Sequence, residues 1–399
     1  MRHLIILACA GLMLAACTQP YTRPILDENG AVPGPFSGID SLLSSDLPGR
    51  VLWVHGMCPH HPDWAQDRAQ MVLSELGAGA ALDQPINYDP AHPNPPGTDE
   101  RAYTIDRTFT VPGKGKIEVD FSMWSNLVDP YIANIQKPDG MHTDPLKGKL
   151  TRASLNATLE DVVMDQCLVD AVVYSGPNGA PIKQALRGHV CKALGGTGGE
   201  TGPCEIPENQ AAPKVAFVSE SIGSKFLFDA IRGLWSDANA AGAQPRHRSE
   251  LSRRLARVAM VYMAANQIPI LDQATQPAHP DPAAPSDSVR GLTSLLRENR
   301  QAFRAEAVRE PLLVVAFQDP NDMLSYRLLP GIQGPADMRF INVTVSNDWS
   351  YLGWAERPDT AHCGYRENKS VSRFIIHGYA GGTPDDPGST EADSACLSG

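Results

Sequence analysis

The residue best placed to act as a nucleophile is Ser221, in the run Ser219-Glu220-Ser221-Ile222-Gly223. A serine hydroxyl attacks a carbonyl carbon efficiently only when a neighbouring base takes its proton, and an imidazole steered by a carboxylate can do that. Before the turn, Val215, Ala216, Phe217 and Val218 form a short apolar run of the kind a buried parallel strand shows. After it, Phe226, Leu227, Ala230 and Ile231 recur at helical spacing. The chain therefore runs strand, tight turn, helix, with Ser221 at the turn. Gly223 lacks the side chain that close helix-to-strand packing would exclude, whereas Ser219 is small without being glycine. Such a turn also suits an ordinary serine cap, so base and acid must come from elsewhere in the chain.

Two acids and two histidines compete for those roles. Asp319 and Asp322 follow the apolar run Leu312 to Phe317, and Asp322, several residues past the strand end, is preferred as the acid over Asp319, which suits a helix cap. His362 lies in the segment Asp359 to Tyr365 beyond the apolar run Phe340 to Ser346, in a loop where catalytic residues concentrate. His377 precedes Gly378 at a helix end, where a cation and a glycine stop have a structural reading. A second polar cluster, His55, His60, His61 and Asp63, has metal-ligand chemistry but lacks H-x-H and H-E-x-x-H spacing, so these are read as loop residues, with His55 propping its loop. Asp165, Asp170 and Tyr174 read as the solvated face of a helix.

The elements that must position these groups follow in order. Arg50 to Gly56 is a strand ending in His-Gly, and Asp63 with Gln66 forms a capping pair ahead of a helix whose face carries Ala65, Ala69, Val72, Leu73 and Leu76. Residues 101 to 125 alternate around Pro112-Gly113-Lys114-Gly115 as a hairpin or two successive strands. Leu155 to Tyr174 and Pro181 to Leu194 read as helices, Arg257 to Met263 as another buried strand, and Ser288 to Ala307 as a helix. The proline-rich stretch Thr275 to Ser286 is a surface loop, suited to a lid or substrate wall.

Residues 1–16, MRHLIILACAGLMLAA, carry a basic residue ahead of an apolar run too short to span a bilayer as a mature helix, and read as an export signal. Leu14-Ala15-Ala16-Cys17 resembles the bacterial lipobox, which implies that Cys17 is acylated, and Thr18 after it implies outer-membrane sorting. Residues 17–48, scattered with proline and glycine, read as a flexible tether. Roughly 350 residues then remain, enough for one large α/β domain with insertions or for two small domains. The formal net charge of −11 and the lack of a basic patch argue against a nucleic-acid partner. Of eight cysteines, Cys58, Cys167, Cys191, Cys204, Cys363 and Cys396 remain after the signal and Cys17 are set aside, and an oxidising compartment permits them to pair.

A His-Gly after the first strand, a serine turn close to G-x-S-x-G, an aspartate after a later strand and a histidine after the last one follow the order Ser, Asp, His of the α/β-hydrolases, and the chain resembles that superfamily over nearly all of residues 50 to 380. The resemblance implies an α/β fold, a mostly parallel sheet with helices on both faces, occupying residues 49–399 with insertions at about 79–210 and 272–287. It also implies an esterase-like or lipase-like serine hydrolase with Ser221 as nucleophile, His362 as base, Asp322 as acid and the Met57 and Ile222 N–H groups as oxyanion donors, needing no cofactor or metal. Partners are then an ester substrate and, through the N-terminal anchor, a membrane; a catalytically silent binding scaffold is the alternative. Because the Met57 and His362 loops would flank the nucleophile, a Cys58–Cys363 disulfide is expected between them.

Overall fold

A computed structural model describes residues 17–18, 23–86, 101–135, 153, 156, 159–208, 210–274, 287–305, 307–328, 337–351 and 354–382. The expected signal (1–16) and the lid stretch (275–286) lie outside these.

Six parallel strands build the centre of the molecule. A nine-stranded sheet has the order β1-β9-β8-β7-β6-β2-β5-β4-β3, where β1 is Ile25–Asp27, β2 Gly49–Val54, β3 Ala81–Leu82, β4 Tyr103–Val111, β5 Gly115–Met123, β6 Val215–Glu220, β7 Val258–Ala264, β8 Leu312–Gln318 and β9 Met338–Thr344. The six strands from β9 to β5 in that order are parallel, while β1 at one edge and β4 with β3 at the other run antiparallel to their neighbours. Residues 103–123 are thus one hairpin, and its second strand extends the parallel set.

Because successive side chains on a strand point to opposite faces, the apolar runs feed two cores. Leu52, Val54, Phe217, Val261 and Val314 face one side, under α3 (Ala180–Ala193), α4 (Gly223–Ala238), α5 (Pro245–Leu255) and α6 (Asp287–Ala302). Val51, Trp53, Val218, Tyr262 and Val315 face the other, under α1 (Pro62–Leu76) and α8 (Lys369–His377). Burial on both faces explains why these strands read as continuous apolar runs and not as alternations. Between β5 and α3 lies a π-helical stretch, Leu159–Leu168, that continues into α2 (Val169–Ser175); α7 (Pro358–Cys363) and a 3-10 turn (Gly364–Arg366) precede α8.

Two expectations change. The segment read as a flexible tether is part of the fold from Ile25 on: β1 adds to the sheet edge, and Leu26, Phe36, Ile39 and Leu42 are buried in the core beneath α8. Its prolines and glycines shape turns, not slack. The first helix begins at Pro62 with His61 as its extended cap residue, and Asp63 sits inside the first turn with Oδ1 accepting Trp64 N–H at 2.8 Å. Proline's fixed φ and missing N–H suit the first helical position, which moves the start upstream of the acid.

Candidate functional site

From β2 the chain moves toward β5, and from β6 it moves the other way, toward β7. Connections that diverge from two adjacent parallel strands leave a crevice at their C-terminal ends, where ligands of open α/β sheets bind. Ser221 follows β6, and the segment His55 to Cys58 follows β2, so both stand at this crevice.

Ser221 has φ +52°, a left-handed conformation that is costly for a residue with a side chain. Its N–H donates to Ala264 O at 2.7 Å, tying the turn to the end of β7. Two glycines let the turn close. A Cβ on Gly56 would come within 2.8 Å of the Ser221 Cβ, and one on Gly223 within 2.6 Å of His55 O and 2.9 Å of Val54 O. Ser219, where a third glycine might have stood, is fully buried and its hydroxyl donates to Tyr262 O at 3.2 Å, so its extra atoms are accommodated.

The structure brings together Ser221, His362 and Asp322. Ser221 Oγ lies 2.9 Å from His362 Nε2, and His362 Nδ1 lies 2.9 and 3.0 Å from the two oxygens of Asp322. A carboxylate can only accept, so Nδ1 carries a proton toward it, leaving Nε2 of the neutral ring to accept the serine's proton. The Asp322 side chain is buried, and Tyr365 Oη donates to its Oδ2 at 3.1 Å while Leu324 N–H donates to Oδ1 at 3.0 Å.

The rivals are occupied elsewhere. Asp319 accepts Asn321 N–H at 2.9 Å and Asn347 N–H at 2.6 Å, and its own N–H donates to Tyr365 Oη at 2.5 Å. It knots the loop after β8 to the loop after β9; burial pushes its pKa up to about 6 against the pull of those two N–H groups. His377 meets Asp40 and the carbonyl of Glu75 at the far end of α8. A second serine–histidine pair, Ser122 Oγ and His189 Nδ1 at 2.8 Å, is buried with no access for a substrate, and burial drops the His189 pKa to about 4.

Met57 and Ile222 flank the serine, one on the segment after β2 and the other directly after Ser221 itself. Among the described residues neither N–H donates to a protein group. The next residue, Cys58, also has a positive φ, +76°, and its N–H donates to Asp170 Oδ2 at 2.8 Å. Asp170 was expected on a solvated face and is instead fully buried, its pKa pushed well above the usual carboxylate range by burial. Its role was not legible because it depends on α2 folding back over a loop more than a hundred residues away.

The expected Cys58–Cys363 disulfide is not formed. Cys58 pairs with Cys167 and Cys191 with Cys204, while Cys363 is disulfide-bonded to another cysteine. The loop carrying Met57 is therefore clamped to the inserted helix and not to the segment of the histidine, because the π-helical turn ending at α2 passes directly over Cys58; His362 itself, expected in a loop, lies in the last turn of the short helix α7. His55 and His60 stack with ring centroids 4.6 Å apart, and His55 stacks on Trp124 at 4.4 Å. His55 Nε2 accepts Trp124 N–H at 3.1 Å, and burial lowers both imidazole pKa values, that of His60 to about 3, so the rings are neutral supports of the loop. Among the described residues no three His, Cys, Asp or Glu side chains converge as a metal site.

One further side chain reaches the serine hydroxyl: Gln267 Nε2 lies 2.8 Å from Ser221 Oγ. A lone glutamine in a loop carries no sequence signal. No family model, no curated protein and no solved structure matches this chain.

Asp322→Asn should lower turnover on an ester by a factor on the order of 10⁴, by favouring the wrong histidine tautomer. Asp319→Asn should instead lower the melting temperature while keeping turnover within a few-fold; a steady-state assay with parallel thermal melts checks both. The Cys58→Ala/Cys167→Ala double variant should lose activity by about tenfold through a misplaced Met57 N–H while remaining folded at the assay temperature. Full activity in the folded double variant would mean that the clamp does not position the loop.

Proposed function

We propose that the protein is a serine hydrolase of the α/β-hydrolase type that cleaves carboxylic esters through an acyl-enzyme. The observation that carries this reading is the unbroken relay from Ser221 through His362 to Asp322, set on a strained strand-to-helix turn at the crevice of a parallel sheet. As Ser221 Oγ bonds to the substrate's carbonyl carbon, its proton passes to His362 Nε2 and the carbonyl electron pair moves onto oxygen. The unspent Met57 and Ile222 N–H groups meet that oxyanion, an interaction worth about 3 kcal/mol per donor in such sites. Collapse expels the alcohol with the proton from His362, and water attacks the acyl-enzyme by the same route in reverse. This chemistry draws only on the chain's own groups.

Apolar side chains left exposed on the segments around the crevice favour an ester with an apolar acyl or alcohol part. Met323 adjoins Asp322, Ile270 follows the Gln267 loop, and Trp349 and Trp354 lie on the segment leading from β9 to His362. Large exposed apolar residues near a cleft mark contact with apolar ligands or surfaces.

The proposal extends to a lipid anchor on Cys17 in the cell envelope, with an outer-membrane destination. Two facts support the anchor. The apolar run of residues 1–16 stops at Cys17, and the two-residue strand Cys17–Thr18 pairs antiparallel with Ser350–Tyr351, between the exposed tryptophans of the segment that carries His362. An acyl group there would hold the mouth of the site against the membrane. Among the described residues no helix is long and apolar enough to cross a membrane.

Ser221→Ala should reduce hydrolysis of a p-nitrophenyl ester by a factor on the order of 10⁶ without unfolding the domain, whereas Ser219→Ala retains activity and Ser224→Ala, whose hydroxyl bonds the Ser221 carbonyl, loses far less than Ser221→Ala. EDTA should leave the wild-type rate unchanged, and an ester assay of the four proteins with and without the chelator decides this. A Ser221→Ala variant as active as wild type would reduce the chain to a binding scaffold or transfer the role to another serine. Cys17→Ala, expressed with its leader, should appear in the soluble fraction and incorporate no labelled palmitate, in contrast to the membrane-bound wild type.

A further inference from the structure

Gln267 lies on the loop after β7 and is almost completely buried. It is delivered by a third residue in the left-handed region, Ala265 with φ +52°, whose N–H donates to Phe317 O at 3.2 Å. The following residue is locked as well: Asn266 Oδ1 accepts Ile268 N–H at 3.1 Å, and Asn266 exchanges backbone and side-chain hydrogen bonds with Tyr326. Gln267 N–H reaches Ser224 Oγ at 3.4 Å, and that hydroxyl donates to Ser221 O at 2.8 Å, so the glutamine's backbone is coupled to the nucleophile's own turn. A long side chain held this firmly can place its amide at the serine with little entropic cost.

The hydrogen-bond network decides which amide atom faces the serine. His362 Nδ1–H is committed to Asp322, so Nε2 is an acceptor and the Ser221 hydroxyl must donate to it. Ser221 Oγ can then only accept from the glutamine, which requires Nε2–H and excludes the amide oxygen. A tetrahedral hydroxyl oxygen has a proton and two lone pairs. The proton points at His362, one lone pair is taken by Gln267, and a single lone pair remains for the carbonyl carbon.

We propose that Gln267 is a further catalytic residue, whose amide donor fixes the attacking lone pair of Ser221 and stabilises negative charge on Oγ whenever the Oγ–carbon bond forms or breaks. This inference rests on the hydrolase reading above and deepens it. In acylation the proton leaves for His362 as the free lone pair bonds to carbon, and the Nε2–H bond offsets the charge developing on Oγ. In deacylation water's oxygen bonds to the acyl carbon, His362 takes a water proton and returns one to Oγ, and the departing Oγ leaves into a waiting donor. The Met57 and Ile222 N–H groups serve the carbonyl oxygen; Gln267 serves the nucleophile's oxygen.

Two near-isosteric variants separate this role from packing. Gln267→Met retains the length and apolar fill without a donor, and Gln267→Glu replaces the donor by an acceptor that competes with His362 for the serine's proton. Their rates of covalent inactivation by a fluorophosphonate, which requires attack by Oγ on phosphorus, should fall by about 10- to 100-fold at neutral pH. For Gln267→Glu the deficit relative to wild type should shrink as pH is lowered, because the introduced carboxyl regains a donor when protonated; a merely structural role would give a pH-independent ratio. Melting temperatures show which variants are folded, and if the methionine variant is not, the pH dependence of the glutamate variant decides. Labelling of the folded variants at the wild-type rate, or a Gln267→Glu ratio that does not change with pH, would overturn the role of Gln267 alone. Failure of the wild type itself to label would overturn the hydrolase reading on which it rests.

Discussion

The site depends on a backbone reversal at Ser221. A non-glycine residue at φ +52° costs on the order of 1–3 kcal/mol, and it persists only where its surroundings over-determine it. Here they do so from three sides: β7 accepts the Ser221 N–H, Gly56 leaves room against its Cβ, and Gly223 lets the start of α4 lie on the carbonyls of Val54 and His55. Cys58 after β2 and Ala265 after β7 share the left-handed conformation. Among the described residues, three of the four non-glycine residues with positive φ therefore sit at the ends of three adjacent strands, with the serine in the middle. Strain gathered in this way points the Ser221 hydroxyl, the Met57 N–H and the Gln267 amide at one small volume.

That volume exists because of the sheet's topology. Strand order reverses direction between β2 and β6, so among the described residues no crossover covers the gap above them, and the connections after β7, β8 and β9 bring in Gln267, Asp322 and His362 from one side. The inserted helices close in from the other side, where Asp170 and Cys167 hold Cys58. The relay is rigid for the same reason: Asp319 and Tyr365 stitch together the two connections that carry Asp322 and His362.

What could be read from the sequence follows from locality. Val215 to Val218, Val258 to Met263 and Leu312 to Phe317 announce strands because both faces of each are buried, and Gly223 announces a close approach because nothing larger fits. Ser221 and Asp322 lie just past such strands and His362 follows the last one on the longer connection that ends in α7, so their placement on one sheet edge was foreseeable from order alone. The ordered segment from Ile25 to Leu42 was not, since its anchors Leu26, Phe36, Ile39 and Leu42 have no regular period and only β9 and α8 give them a place. Nor were Gln267, Asp170 or the Cys58–Cys167 bridge. Each depends on an insertion or loop folding across a long chain separation, and the pairing of Cys58 in particular turned on which element covers the β2 loop, which no local pattern encodes.

The central claim is that Ser221, and no other serine, is the nucleophile. It is tested most directly by mapping the site of covalent modification: the wild-type protein is treated with a fluorophosphonate, digested, and sequenced by mass spectrometry, alongside a heat-denatured control. The account predicts a single adduct on Ser221 that requires the native fold. No adduct in the native protein, or an adduct on Ser122 beside His189 or on any other serine, would contradict it.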